Sequence, residues 1–142
     1  FHHRINYRVI AEKGAGAFLN GEKISVSSEK EVINTILAMD NSSHVDARVK
    51  NYEILSKICN QVRHVRILGS SALHCARIAC GEIDVYYKTR FNYWDYASGI
   101  LLIQEAGGTV TDFYGEPICE SSKNIVASNG IVHNQILKLL NA

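Results

Sequence analysis

Asp95 is the residue of this chain best placed to do chemistry. It lies in Trp94-Asp95-Tyr96-Ala97-Ser98-Gly99, which runs on to Glu105-Ala106-Gly107-Gly108. The spacing predicts an apolar helix over 94–106, ended by the glycine pair. A carboxylate in the first turn of that helix meets free backbone N–H groups and the positive end of the dipole. Fixed there, it can hold a divalent cation and an anionic group together. Taken alone, an Asp in this place is also an ordinary helix cap.

Two further segments offer chemistry. In Leu68-Gly69-Ser70-Ser71-Ala72, Gly69 allows a tight turn, and Ser70 or Ser71 can cap the next helix while its early N–H groups face a ligand. The plain alternative is a cap with no ligand. In Tyr87-Lys88-Thr89-Arg90, at a strand exit, Lys88 and Arg90 can face a phosphate, or can be two solvated charges on a loop.

Short apolar runs alternate with helical spacing and place these segments. Strands are expected over 5–10, 24–27, 35–40, 62–68, 83–88, 109–111 and 125–127, and helices over 49–59, 72–80, 94–106 and 132–140. Asn20-Gly21 is a two-residue hairpin signal, and Gly81 reads as a C-terminal helix cap. Gly14-x-Gly16 lacks the third glycine of a dinucleotide loop and opens no helix, so it reads as part of the hairpin. The alternation predicts one α/β domain, a layered sheet covered by helices. Ligands in such sheets collect beyond the carboxyl ends of the strands, where helix N-termini converge.

The chain has 142 residues and a net charge of +1, from 15 basic and 14 acidic residues. That balance gives no electrostatic case for nucleic acid or a membrane surface. No apolar run approaches the ~20 residues that span a bilayer. Cys59, Cys75, Cys80 and Cys119 form no CxxC pair, which argues against zinc and thioredoxin-like chemistry. Cys75 and Cys80 lie in apolar segments and read as buried thiols of a reducing compartment, the cytoplasm. His2 and His3 are adjacent on a strand, so they point apart and make no joint metal site. The start at Phe1, without an initiator Met, reads as a chain cut from something longer.

Taken together, the pattern from Trp94-Asp95 to Gly107-Gly108 resembles the C-terminal signature of the inositol monophosphatase family, magnesium-dependent and typically lithium-sensitive phosphomonoesterases. Three more segments carry the resemblance: Lys13-Gly14-x-Gly16-Ala17-Phe18-x-Asn20-Gly21, Arg66-Ile67-Leu68-Gly69-Ser70-Ser71-Ala72 and Gly81-x-x-Asp84-x-Tyr86-Tyr87. Order and spacing agree from about Tyr7 to the end. The resemblance implies a layered mixed sheet flanked by helices, like the C-terminal half of the sugar phosphatase fold. It implies that Asp95 ligates a catalytic Mg2+ and touches the substrate, that Gly69, Ser70 and Ser71 contact its sugar-like part, and that Trp94 packs behind the ligand. The cations of such a site activate a water and neutralise charge on the phosphoryl oxygens.

Two departures shape the expectation. At Lys88 the inositol phosphatases proper usually carry a glutamate that binds a ring hydroxyl. Lysine inverts that charge and can pair with a second phosphate or a carboxylate, which favours fructose 1,6-bisphosphate or 3′-phosphoadenosine 5′-phosphate as alternatives to inositol monophosphate. The family's Gly-Glu-Glu and Asp-Pro-x-Asp-Gly-Thr segments, which carry the other metal ligands, are absent; Pro117 is the only proline. The chain is therefore expected to be one substrate-side domain, 1–142, that lacks the N-terminal metal-binding domain, is inactive alone, and belongs to a homodimer when whole. A non-catalytic interaction or dimerisation module is the reading from another class.

Overall fold

The computed structural model describes residues 7–142; His2, His3 and the first part of the strand expected over 5–10 lie outside them. Within them the chain opens with a three-stranded antiparallel sheet of β1 (Val9–Glu12), β2 (Gly16–Leu19) and β3 (Glu22–Ile24). Leu19 pairs with Glu22 across Asn20 and Gly21, whose φ values of 52° and 92° make the two-residue turn read from Asn-Gly. β3 lies earlier than the strand expected over 24–27 and shares only Ile24 with it. Val26 N–H turns away to Ala106 O at 3.0 Å, and the Ser27 hydroxyl bonds Asp84, so 25–27 leave the sheet.

A second, five-stranded sheet has the order β5-β4-β6-β8-β7. It contains β4 (Ile36–Met39), β5 (His64–Arg66), β6 (Val85–Lys88), β7 (Thr109–Thr111) and β8 (Ile125–Ser128). β4 runs parallel to β5 and β6, whereas β8 is antiparallel to both β6 and β7, so the sheet is mixed. Four helices cover it: α1 (Val45–Ile58), α2 (Ser71–Ala79), α3 (Tyr93–Glu105) and α4 (His133–Leu140). Alternation along the strands divides the core. Leu37, Met39, Val85, Tyr87 and Val126 pack with Ile54 and Ile58 of α1 and Ile136 and Leu140 of α4. Ala38, Tyr86, Ile125 and Ala127 pack with Cys75 and Ile78 of α2 and Tyr96 and Ile103 of α3.

α2 and α3 meet closely because position 99 has no side chain. A Cβ on Gly99 would lie 2.7 Å from both Cβ and Sγ of Cys75. Two polar contacts fix the first sheet to the rest. Asp84, which is 7% exposed, accepts from Ile36 N–H at 2.7 Å and from Ser27. Glu105 accepts from the N–H groups of Gly14 (2.8 Å) and Gly16 (2.9 Å). The Gly14-x-Gly16 loop is thus part of a hairpin, as expected, and it also holds an anion, which comes from the chain itself.

Strand β5 is shorter than the 62–68 run, because Leu68 N–H is taken off the ladder by His74 Nε2 at 3.1 Å. Gly81 closes α2 with φ 72°, as read. Cys75 is buried, but Cys80 is only half-buried, and its sulfur accepts from the Tyr7 hydroxyl at 3.2 Å. No helix among the described residues is long and apolar enough to cross a membrane.

Candidate active site

The parallel strands β4 and β6 end on one side of the sheet, and α1, α2 and α3 begin there. A cavity of 360 Å³ opens between them. His44 and Asn92, which cap α1 and α3, and Ser71, the first residue of α2, all line it. Three helix N-termini around one hollow favour an anion there.

Of the residues picked out from sequence, Gly69, Ser71, Lys88 and Asp95 line this cavity together, and so does Arg90. Ser70 does not. It is the N-cap of α2, and its Oγ accepts from Leu73 N–H at 3.4 Å. Gly69, at φ 73°, makes the turn that delivers the chain to that cap. Asp95 lies in the first turn of α3 and is exposed, with its Oδ2 accepting from Asn92 Nδ2 at 3.3 Å. It presents a hard oxygen at the cavity wall, as a divalent cation needs. Among the described residues no group of three or more His, Cys, Asp or Glu can hold a metal ion. Trp94 is 77% exposed, so among the described residues its indole is not buried, which corrects the expectation that it packs behind the ligand.

Sequence reading passes over Asp40 as the end of a strand. It is the most heavily bonded side chain of the cavity. Parallel register sets Ala38 beside Tyr86 and Met39 beside Tyr87, so the next pair in line is Asp40 and Lys88. Asp40 is 5% exposed. Its Oδ2 accepts from the Tyr86 hydroxyl (2.6 Å), the Ser71 hydroxyl (2.8 Å) and Lys88 Nζ (3.2 Å). Its Oδ1 lies 3.2 Å from His74 Nδ1. Since His74 Nε2 accepts from Leu68, its proton belongs on Nδ1, facing that carboxylate. Burial pushes the Asp40 carboxyl up, but His74, Tyr86, Ser71 and the Lys88 charge outweigh it and hold the group well below the usual range. Burial lowers Lys88, and Tyr96 and Asp40 carry it net upward. The pair is ionised and close to neutral as a unit. The signal that finds Asp40 is the carboxyl end of an apolar strand, where ligands gather in such sheets.

Arg90 Nη1 lies 3.6 Å from Asp46 Oδ2. It also lines a second, larger hollow of 780 Å³ between α1, the end of α4 and the 113–124 loop.

Residues 5–142 match the inositol monophosphatase family. The chain is 39% identical over 137 residues to the fructose-1,6-bisphosphatase/inositol-1-monophosphatase of Thermotoga maritima, covering 96% of this chain and 52% of that protein. It is 34% identical over 129 residues to the inositol-1-monophosphatase of Bacillus subtilis, covering 90% and 49%. Its fold superposes on the solved inositol monophosphatase of an Anabaena (Nostoc) species with a TM-score of 0.86 at 31% identity, covering 94% of this chain and 53% of that one. The chain spans about half the length of the curated relatives it matches. With the mixed sheet and the match over nearly its whole length, the chain belongs to the inositol monophosphatase family, a family of phosphatases.

Proposed function

We propose that this chain is the substrate-side half of a magnesium-dependent phosphomonoesterase that acts on inositol monophosphate or a related small sugar phosphate, and that it is inactive by itself. One observation carries the reading: Asp95 stands exposed on the cavity that also gathers Gly69, Ser71 and Lys88. Asp95 supplies one oxygen to a cation, and carboxylates from an N-terminal half supply the others. Magnesium bound there provides an activated water and neutralises charge on the phosphoryl oxygens. The chain's own residues do the rest. The N-terminal ends of α1, α2 and α3 favour the phosphate, and Lys88 and Arg90 line the wall that the leaving group meets. Trp94, beside the ligand, is available to be covered when the N-terminal half docks.

The free thiols of all four cysteines support a reducing compartment, the cytoplasm. The reading includes a homodimer for the whole enzyme, on the family resemblance alone. Fructose 1,6-bisphosphate stays a second substrate on one specific ground, the activity named for the Thermotoga relative.

The test is a phosphatase panel with magnesium on the protein that carries this segment and on residues 1–142 alone. The expected result is hydrolysis by the former, none by the latter, and a fall of about two orders of magnitude for Asp95→Asn in the whole protein. Robust magnesium-dependent turnover by the 142-residue chain would overturn its inactivity. No turnover of any phosphate ester by the whole protein would leave the non-catalytic interaction module as the better reading.

A further inference from the structure

Resting on the phosphatase reading above, we propose that Asp40 is a positioning residue that decides substrate preference: by cancelling the charge of Lys88, it makes this wall of the cavity disfavour a second phosphate.

Asp40 is too enclosed to meet substrate or metal itself. Its Oδ2 already receives Tyr86, Ser71 and Lys88, its Oδ1 faces His74, and only 5% of the residue is exposed. It acts through Lys88, which lines the cavity with its side chain 18% exposed. Lys88 Nζ lies 3.2 Å from Asp40 Oδ2 and 3.4 Å from Ser71 Oγ. Its N–H groups turn to these two neighbours and to the side chain of Tyr96, so the charge is held inside the wall. Lys88 also lies over the Tyr96 ring, 5.6 Å from its centroid, so its position is fixed from a second side.

The balance of charge on the wall points the same way. Arg90, the other cation of the cavity, has Asp46 at 3.6 Å as Lys88 has Asp40 at 3.2 Å. Each positive group has its own carboxylate, and Asp95 adds a further negative charge. A lone lysine replacing a hydroxyl-binding glutamate attracts a second phosphate, whereas a lysine held by a buried carboxylate does not.

The experiment uses the protein that carries this segment, with magnesium, and compares KM for inositol 1-phosphate and fructose 1,6-bisphosphate. In Asp40→Asn the lysine loses its counter-charge. KM for the bisphosphate then falls about tenfold or more while KM for the monophosphate stays within about twofold. Asp40→Asn combined with Lys88→Gln removes both charges and returns the ratio of the two KM values to that of the unmodified protein. A fold defect raises both KM values together and cannot produce this split.

Two results overturn the inference. One is an unchanged ratio in Asp40→Asn. The other is a double variant whose bisphosphate KM rises about tenfold, because Lys88 is then a free anion receptor in the native protein. Where Asp40→Asn does not fold, the double variant carries the test alone by the same criterion. Where no phosphate ester is hydrolysed at all, the proposed function has failed. The same variants are then read by calorimetric titration with the two compounds, and the same split or its absence decides the role of Asp40.

Discussion

Glu105 holds Gly16 at the C-terminal end of α3: its carboxylate accepts the Gly16 N–H at 2.9 Å and the Gly14 N–H at 2.8 Å. One side chain thereby fastens the first sheet to the helix whose other end bears Asp95. Glu105→Ala is expected to cost about 1–3 kcal/mol, as for loss of hydrogen bonds to a charged group. Hydrogen exchange gives the specific readout: the Gly14 and Gly16 amides lose protection while those of β6 and β8 keep theirs. Unchanged protection at both glycines would refute the link.

Lys88→Glu, the substitution that restores the family's usual residue, is expected to fail in this chain by itself. It sets a second carboxylate against the buried Asp40, in place of a cation at 3.2 Å. Breaking such a pair costs about 3–5 kcal/mol. Adding Asp40→Asn is expected to recover most of that loss. Chemical denaturation of the single and double variants measures both. A stable Lys88→Glu single variant would contradict the pairing.

Local backbone demands were legible in the sequence, and long-range pairing was not. Asn20-Gly21 and Gly81 announce their turns because positive φ is a property of the residue itself. Asp95 and Gly69 were legible through their spacing from helix starts. Asp40 was not, since its partners Ser71, Tyr86 and Lys88 are 31, 46 and 48 residues away and only the β4–β6 register brings them together. Trp94 was misplaced for the same reason. Whether an indole at a helix start is covered depends on what packs there, and the described residues leave Trp94 77% exposed.

His133 makes the fold sensitive to mild acid. Thr111 Oγ1 donates to Asp112 O, so it accepts from His133 Nε2 at 2.9 Å, and Nδ1 is left to accept from the Ser128 hydroxyl at 2.8 Å. Burial holds the imidazole below its ordinary range. The unfolded chain takes up this proton first, near pH ~6.5, so the contribution is complete above that pH and is lost as pH falls through the lower folded value. The melting temperature of the native chain is expected to drop between pH 7.5 and 5 more steeply than that of His133→Gln. Parallel slopes would rule out the role.

Gly99→Ala is expected to be disproportionately harmful for a single methyl group. The added carbon would meet Cys75 Cβ and Sγ at 2.7 Å. Overpacking of this kind costs about 1–3 kcal/mol. Cys75→Ala removes the sulfur but not Cβ, so it relieves only part of the loss in a denaturant titration. Full stability of Gly99→Ala would show that α2 and α3 are free to separate.

That closeness sets a limit on what the cavity can admit. At the contact the backbone of Gly99 meets only the small side chain of Cys75, so little rotamer freedom is left to change the gap between the two helices. Ser71 and Asp95, at their leading ends, face the hollow from a spacing set by that close contact. The helices therefore act as a ruler, and a bulkier substrate has to be accommodated by the loops that follow β4 and β6. Changes in substrate range among proteins of this architecture should accumulate at 40–44 and 89–92, while 75 and 99 stay small.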